Sequence, residues 1–182
     1  NKTGPLSWPL ACKLMRQVLE GLNFAHQRGY IHRHIKPSNL FLIDNEEIKI
    51  LDFGLVRCEA ASTHTLDCSF MGSADYLSPE QARNPRTVDP RSDLYSLGCT
   101  LIHLLSGQPP FPDADYPTLT AKLQAHLIGA PAWLRSSDCH LSQAAIDFIA
   151  SLVSPDPQLR PKSAQDALEC LERIATTCKQ SE

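Results

Sequence analysis

Residues 31 to 39 read Ile31-His32-Arg33-His34-Ile35-Lys36-Pro37-Ser38-Asn39, and Asp52-Phe53-Gly54 follows with its aspartate thirteen positions after Asn39. Between them lie two short β-prone runs, Leu40 to Ile43 and Ile48 to Leu51, separated by the polar Asp44-Asn45-Glu46-Glu47, so the spacing predicts an antiparallel hairpin with a four-residue loop. Upstream, Leu10, Leu14, Val18, Leu22 and Ala25 recur at helical spacing, with Ser7 placed to cap, Pro9 in the first turn and Gly29 to terminate. Downstream, residues 54 to about 80 show no sustained period and are rich in Ser, Thr, Ala and Asp, which predicts a long functional loop.

Further outward, Leu94, Leu97, Leu101, Leu104 and Leu105 form a helix face apolar enough for a central, buried helix between Asp89-Pro90 and Ser106-Gly107. A proline-rich stretch from Gln108 to Pro117 tolerates only loop conformations. Helices are expected at about 118–126, 142–153 and 163–175, the last opened by Ser163 with Asp166 three residues on.

Composition is that of a single globular domain: 182 residues, 42% hydrophobic, 20% charged and a net charge of −3. No apolar run reaches the roughly 18 residues that a membrane span needs, and no dense basic cluster offers itself to nucleic acid, which is excluded as a partner. Seven cysteines lack the spacing of a zinc site, so they are expected to be reduced thiols in a cytoplasmic chain, or one on the cytoplasmic side of a membrane if other segments tether it. Cys58 and Cys68 share the long loop and could approach one another as a redox pair. The start at Asn1, without methionine or signal peptide, suggests a piece of something longer.

The first-quoted stretch, with Asp52-Phe53-Gly54 and the hairpin between, closely resembles the catalytic loop and metal-binding triplet of protein kinases. Three more motifs match in order: Gly72-Ser73-Ala74-Asp75-Tyr76-Leu77-Ser78-Pro79-Glu80 resembles the end of the activation segment, Ser92 to Gly98 the start of the central helix, and Leu159-Arg160-Pro161 the late arginine motif. The Lys36-Pro37-x-Asn39 pattern is similar to serine/threonine kinases. Ser96 to Leu101 and Gly107-Gln108-Pro109-Pro110-Phe111 are similar to bacterial-type members.

The resemblance implies an α+β, mainly α fold: the large, C-terminal lobe of a kinase over residues 1–182, with a short β-hairpin and the small lobe absent. Its parts would be a catalytic loop at 31–39, a metal triplet at 52–54, an activation segment at 52–80 and a helical subdomain at 88–176. It also implies ATP-dependent phosphoryl transfer to protein serine or threonine, with ATP and Mg²⁺ as the family's cofactors. Asn39 and Asp52 match the metal ligands, hard oxygen donors for a hard cation, Lys36 the lysine that follows the transferred phosphate, and Phe41 the floor beneath the adenine. Arg33 matches the arginine that binds a phosphorylated activation loop, for which Ser62, Thr63, Thr65 and Ser69 are candidate acceptors. Ser73 matches the threonine that contacts the catalytic loop. Glu80 and Arg160 match a structural ion pair, and Asp93 a residue that caps the catalytic loop's backbone. His26, His64, His103, His126 and His140 show no metal spacing and read as core or surface residues.

Two departures bear on activity. His34 stands where the family has the aspartate that accepts the substrate hydroxyl's proton. An imidazole is a chemically plausible base but brings no negative charge for Lys36, and a sequence error is also open because Asp and His codons can differ by one base. No two of the eight glycines are closer than eight residues, so no glycine-rich phosphate loop is present, and only 31 residues precede His32. The chain alone is therefore expected to bind ATP weakly or not at all and to be catalytically impaired. Its partners would be a protein substrate or regulatory protein and the missing small lobe; the alternative is a pseudokinase that holds a signalling partner without phosphotransfer. A hydrolase built on Ser38, His32 and Asp52 lacks any glycine-flanked nucleophile.

Overall fold

The structure is a computed structural model that describes residues 4–43, 47–52, 72–84, 86, 88–129, 131–136 and 139–178. Phe53, Gly54, Cys58, Ser62, Thr63, His64, Thr65, Cys68 and Ser69 lie outside the described residues. Beyond a helical turn at 72–74, the α-helices among those described include α1 (Trp8–His26), α2 (Pro79–Arg83), α3 (Arg91–Ser106), α4 (Leu119–Ile128), α5 (Gln143–Leu152) and α6 (Ala164–Cys178). Strands β1 (Leu40–Ile43) and β2 (Glu47–Ile50) form one antiparallel hairpin.

The hairpin begins one residue earlier on its second strand than the sequence suggests. Glu47 pairs with Ile43 rather than lying in the loop, and Leu51 falls outside the strand, although its N–H still reaches Asn39 O at 2.9 Å. Leu51 ends the ladder because the next residue, Asp52, turns into the left-handed region at φ 63°. The loop expected up to residue 80 also ends sooner. Ser78 accepts from the N–H of Gln81, and the Gln81 side chain accepts from the N–H of Ser78, a reciprocal cap that starts α2 at Pro79.

The core forms where the apolar stripes meet. α1 turns Leu14, Val18, Leu19 and Leu22 inward, packs along α6 and lies against β2 and α3. Each such fully buried leucine or valine contributes roughly 1.5–3 kcal/mol. α3 is buried over most of its length and ends at Gly107, whose φ of 80° favours a residue without Cβ and whose N–H caps His103 O. Halfway along α3, Gly98 lets α5 approach: a Cβ there would stand 2.7 Å from Val153 Cγ1 and 2.8 Å from Leu152 Cβ. Around this helical body, β1 and β2 and the loop before them are held at one end, with Gln17 of α1 accepting from the Ile48 N–H at 3.1 Å.

Gly98→Ala is expected to destabilise the chain by about 1–3 kcal/mol despite alanine's better helix propensity, since the added methyl meets a backbone-borne Cβ that cannot rotate away. Chemical denaturation measures this; an unchanged midpoint would mean that α5 can retreat without cost.

Candidate active site

The loop 31–39 has little regular structure, only a 3₁₀ turn at Pro37–Asn39, so side chains from elsewhere must hold its backbone. The chief one is Asp93, in the first turn of α3 and wholly buried. Its Oδ2 accepts from the N–H of His32 and from His26 Nε2, both at 2.8 Å, and its Oδ1 accepts from the N–H of Arg33 at 2.7 Å. A carboxylate only accepts here, so His26 carries its hydrogen on Nε2. Arg33 is held at φ 70°; with Asp52, it is one of two described non-glycine residues in the left-handed region, a conformation costing about 1–3 kcal/mol that persists only where surroundings impose it. His32 ties these two strained points together. Its Nε2 donates to Leu51 O at 2.8 Å, leaving Nδ1 to accept from the N–H of His34 at 3.2 Å.

The sequence-singled residues gather around this frame. Asn39 Nδ2 donates to His34 O at 2.8 Å, which fixes the side-chain amide against the loop. The hairpin register sets Asn39 beside Leu51, and hence next to the exposed Asp52. An amide oxygen and a carboxylate are donors that suit a hard cation keeping most of its shell as water or phosphate oxygen. Lys36 Nζ donates to Ser73 Oγ at 2.9 Å, joining the loop to the segment 72–78. Phe41 is 58% exposed on β1, opposite Lys49. Among the described residues the Nε2 of His34, like the Nδ1 of His26, is buried without a hydrogen-bond partner, and burial, followed by the charge of Lys36, holds the His34 pKa below the usual histidine value.

Segment 72–78 is fastened from several sides. Ser96 Oγ donates to Tyr76 O at 2.7 Å, the Tyr76 hydroxyl meets His103 Nδ1 at 2.6 Å, and Gln81 Nε2 donates to Arg33 O at 2.8 Å. Glu80 and Arg160 form a two-pronged pair at 2.6 and 2.9 Å, and Ser92 Oγ donates to the same carboxylate. Burial pushes the Glu80 carboxyl up, yet the Arg160 and Ser92 hydrogen bonds outweigh it and leave the group below the ordinary range. The Arg160 side chain has no exposure, which marks the pair as internal.

Sequence reasoning passed over several of these residues. His26, His103 and His126, read as core or surface, each bridge two elements, and Lys122 with Asp75 was not singled out at all. One signal was available: Ser92, Ser96, Thr100 and His103 recur at helical spacing on α3, a polar stripe on a helix otherwise apolar enough to be buried.

A family model described as the protein kinase domain matches residues 1–171. The chain belongs to the protein kinase domain family. It is 38% identical over 155 residues to the serine/threonine-protein kinase PknB of Mycolicibacterium smegmatis, covering 84% of this chain and 24% of that protein. Against PknB of Mycobacterium tuberculosis (H37Ra), identity is 36% over 188 residues, with 90% and 29% covered. Among solved structures, Rad53 1–466 in complex with AMP-PNP matches with a TM-score of 0.69 and 30% identity, over 90% of this chain and 40% of that one. The chain thus spans about a quarter of the length of these curated relatives. Family and fold are those of a serine/threonine protein kinase, with the mainly helical body and small hairpin of its C-terminal lobe.

His126 makes stability in this kinase lobe depend on pH. Its Nε2 donates to Ala74 O at 2.9 Å, so Nδ1 accepts from the Tyr95 hydroxyl at 2.6 Å, and burial pushes its pKa down to about 4. The unfolded imidazole, near 6.5, takes up a proton that the folded one refuses, so stability is present above 6.5 and falls as pH drops towards 4. The loss from this residue reaches about 3 kcal/mol at the lower end. Urea denaturation across pH 6.5 to 4 should show that slope and show it flattened in His126→Gln; equal slopes would mean that the ring is not buried neutral.

Proposed function

We propose that this chain is the part of a serine/threonine protein kinase that positions phosphate and protein substrate, with its transfer step impaired at His34. In the reaction, a serine or threonine hydroxyl oxygen bonds to the γ-phosphorus of ATP, the bond to the β,γ-bridging oxygen breaks, ADP leaves, and the hydroxyl proton goes to a base. Mg²⁺, where bound, would neutralise phosphate charge. Asn39 Oδ1 and the Asp52 carboxylate would hold it, and their oxygen chemistry fits. Lys36 stands within the loop as a compact cation for the transferred group, steadied by Ser73.

The observation that carries the impaired reading is the state of His34. Among the described residues its Nε2 is buried with no hydrogen-bond partner, and its lowered pKa makes the ring a weaker base than free imidazole. It also supplies no carboxylate to pair with Lys36 or to orient the incoming hydroxyl. Loss of such a group costs about 10²–10⁴-fold in rate. A second reading, a pseudokinase that binds a partner without transferring phosphate, is supported by the fastening of segment 72–80, which would hold a surface for a protein in place whatever the fate of the transfer step.

Calorimetric titration of the 182-residue chain with Mg-ATP is expected to give a dissociation constant of about 1 mM or weaker, because among the described residues nothing covers the exposed Phe41. Micromolar affinity would contradict this.

In a chimera with the small lobe of a PknB-like kinase, His34→Asp should raise turnover of a serine peptide by about 10²-fold or more with little change in nucleotide affinity, and Asp52→Asn should abolish it. Equal rates with His34 and Asp at this position would overturn the impaired and pseudokinase readings together.

A further inference from the structure

Below segment 72–78, an internal cation is shared between two acids on different elements. Lys122 of α4 is 1% exposed at its side chain, and its Nζ meets the carboxylates of Asp75, 10% exposed, and Asp113, 73% exposed, at 2.5 Å each. One turn further along α4, His126 donates to Ala74 O, so two side chains four residues apart grip consecutive residues of the segment. Phe111 packs edge-on against both His126 and Tyr116, at 4.6 and 5.3 Å between ring centres, which brings the proline-rich loop 108–117 onto the same end of α4. Asp75 is the only acidic side chain in 72–78, and its charge is met from beneath rather than left for a ligand.

We propose that Lys122 is a positioning residue that clamps segment 72–78 to α4 through Asp75, with Asp113 of the loop 108–117 as a second, expendable partner. That the segment is the seat of a protein substrate or partner rests on the kinase reading above; the clamp itself does not. Through Lys36–Ser73 and Gln81–Arg33 the clamped segment bears on loop 31–39, so Lys122 acts on the site from a distance without touching the reacting atoms. The two acids compete for one ammonium. Asp113, mostly in solvent, is the partner that can be given up, whereas Asp75, buried, has few alternatives.

Hydrogen exchange in the full 182-residue chain, without nucleotide or peptide, tests this. The N–H groups of Tyr76 and Leu77 donate to Ser73 O and Ala74 O at 3.3 Å and report on the segment, while amides in the middle of α1 report on the body. Lys122→Met is expected to speed exchange at Tyr76 and Leu77 by about tenfold or more relative to α1, and Asp113→Asn to leave them within about twofold. In the double variant Lys122→Met with Asp75→Asn, no charge is stranded, so the denaturation midpoint should recover while exchange at Tyr76 and Leu77 stays fast. A residue important only for stability would move both together. Should Lys122→Met fail to fold, Asp75→Asn gives the same local readout. Unchanged rates at Tyr76 and Leu77, or equal acceleration in α1, would overturn the clamp and leave the kinase reading untouched; micromolar nucleotide binding or a fast His34 chimera would revise that reading and leave the clamp.

Discussion

The Asp93 carboxylate lies beneath loop 31–39 with no exposure and three N–H donors around it, from His26, His32 and Arg33. A carboxylate so placed would be costly alone, and its full set of donors is what makes the burial tolerable. In return it imposes a left-handed backbone on Arg33, the residue that precedes His34, and so decides where the rest of the loop points. The carboxylate can do this because α3 is itself packed between α1 and α5, with Gly98 permitting close approach. Core packing, helix placement and loop geometry are therefore one chain of dependence that runs from apolar contacts to the site.

Two further internal charges extend the same scheme. Arg160 reaches Glu80 from beyond α5, and Lys122 reaches Asp75 from α4, so the two ends of the stretch 75–80 are fixed to different parts of the helical body. Their environments are not alike. The Glu80 carboxyl is stabilised in its charged form against its own burial. For Asp75, burial outweighs the help from Lys122 and raises the pKa.

Much of this architecture was legible in the residue pattern. The stripe from Leu10 to Ala25, the two β-prone runs and the leucines of α3 lie within one to two residues of the elements they form, because apolar burial at a regular period decides them and neighbouring turn residues close them. What escaped was set by sequence-distant partners or by local chemistry overlooked. The Ser78–Gln81 cap starts α2 inside a stretch that has no period. Nothing in its sequence neighbourhood marks Lys122 of α4, because its partner Asp75 lies 47 positions away in the chain. The histidines have the same explanation: their spacing along the chain carries no metal signal, and their bridging contacts arise only once α1, α3 and α4 are docked. His34 was the reverse case. Its identity alone marked the departure from the family's motif, and what the sequence could not supply is the burial of its Nε2.

The fastening of segment 72–78 has a consequence for how such a surface can change. Two of its anchors, Ser96 to Tyr76 O and His126 to Ala74 O, seize main-chain carbonyls, which every amino acid possesses. A grip on the backbone is indifferent to the side chain above it. Residues such as Gly72, exposed at the start of the segment, or Leu77, half-buried within it, can therefore be exchanged without rebuilding the foundations underneath. The helices act as a fixed mount whose hold does not depend on the face that the mount presents.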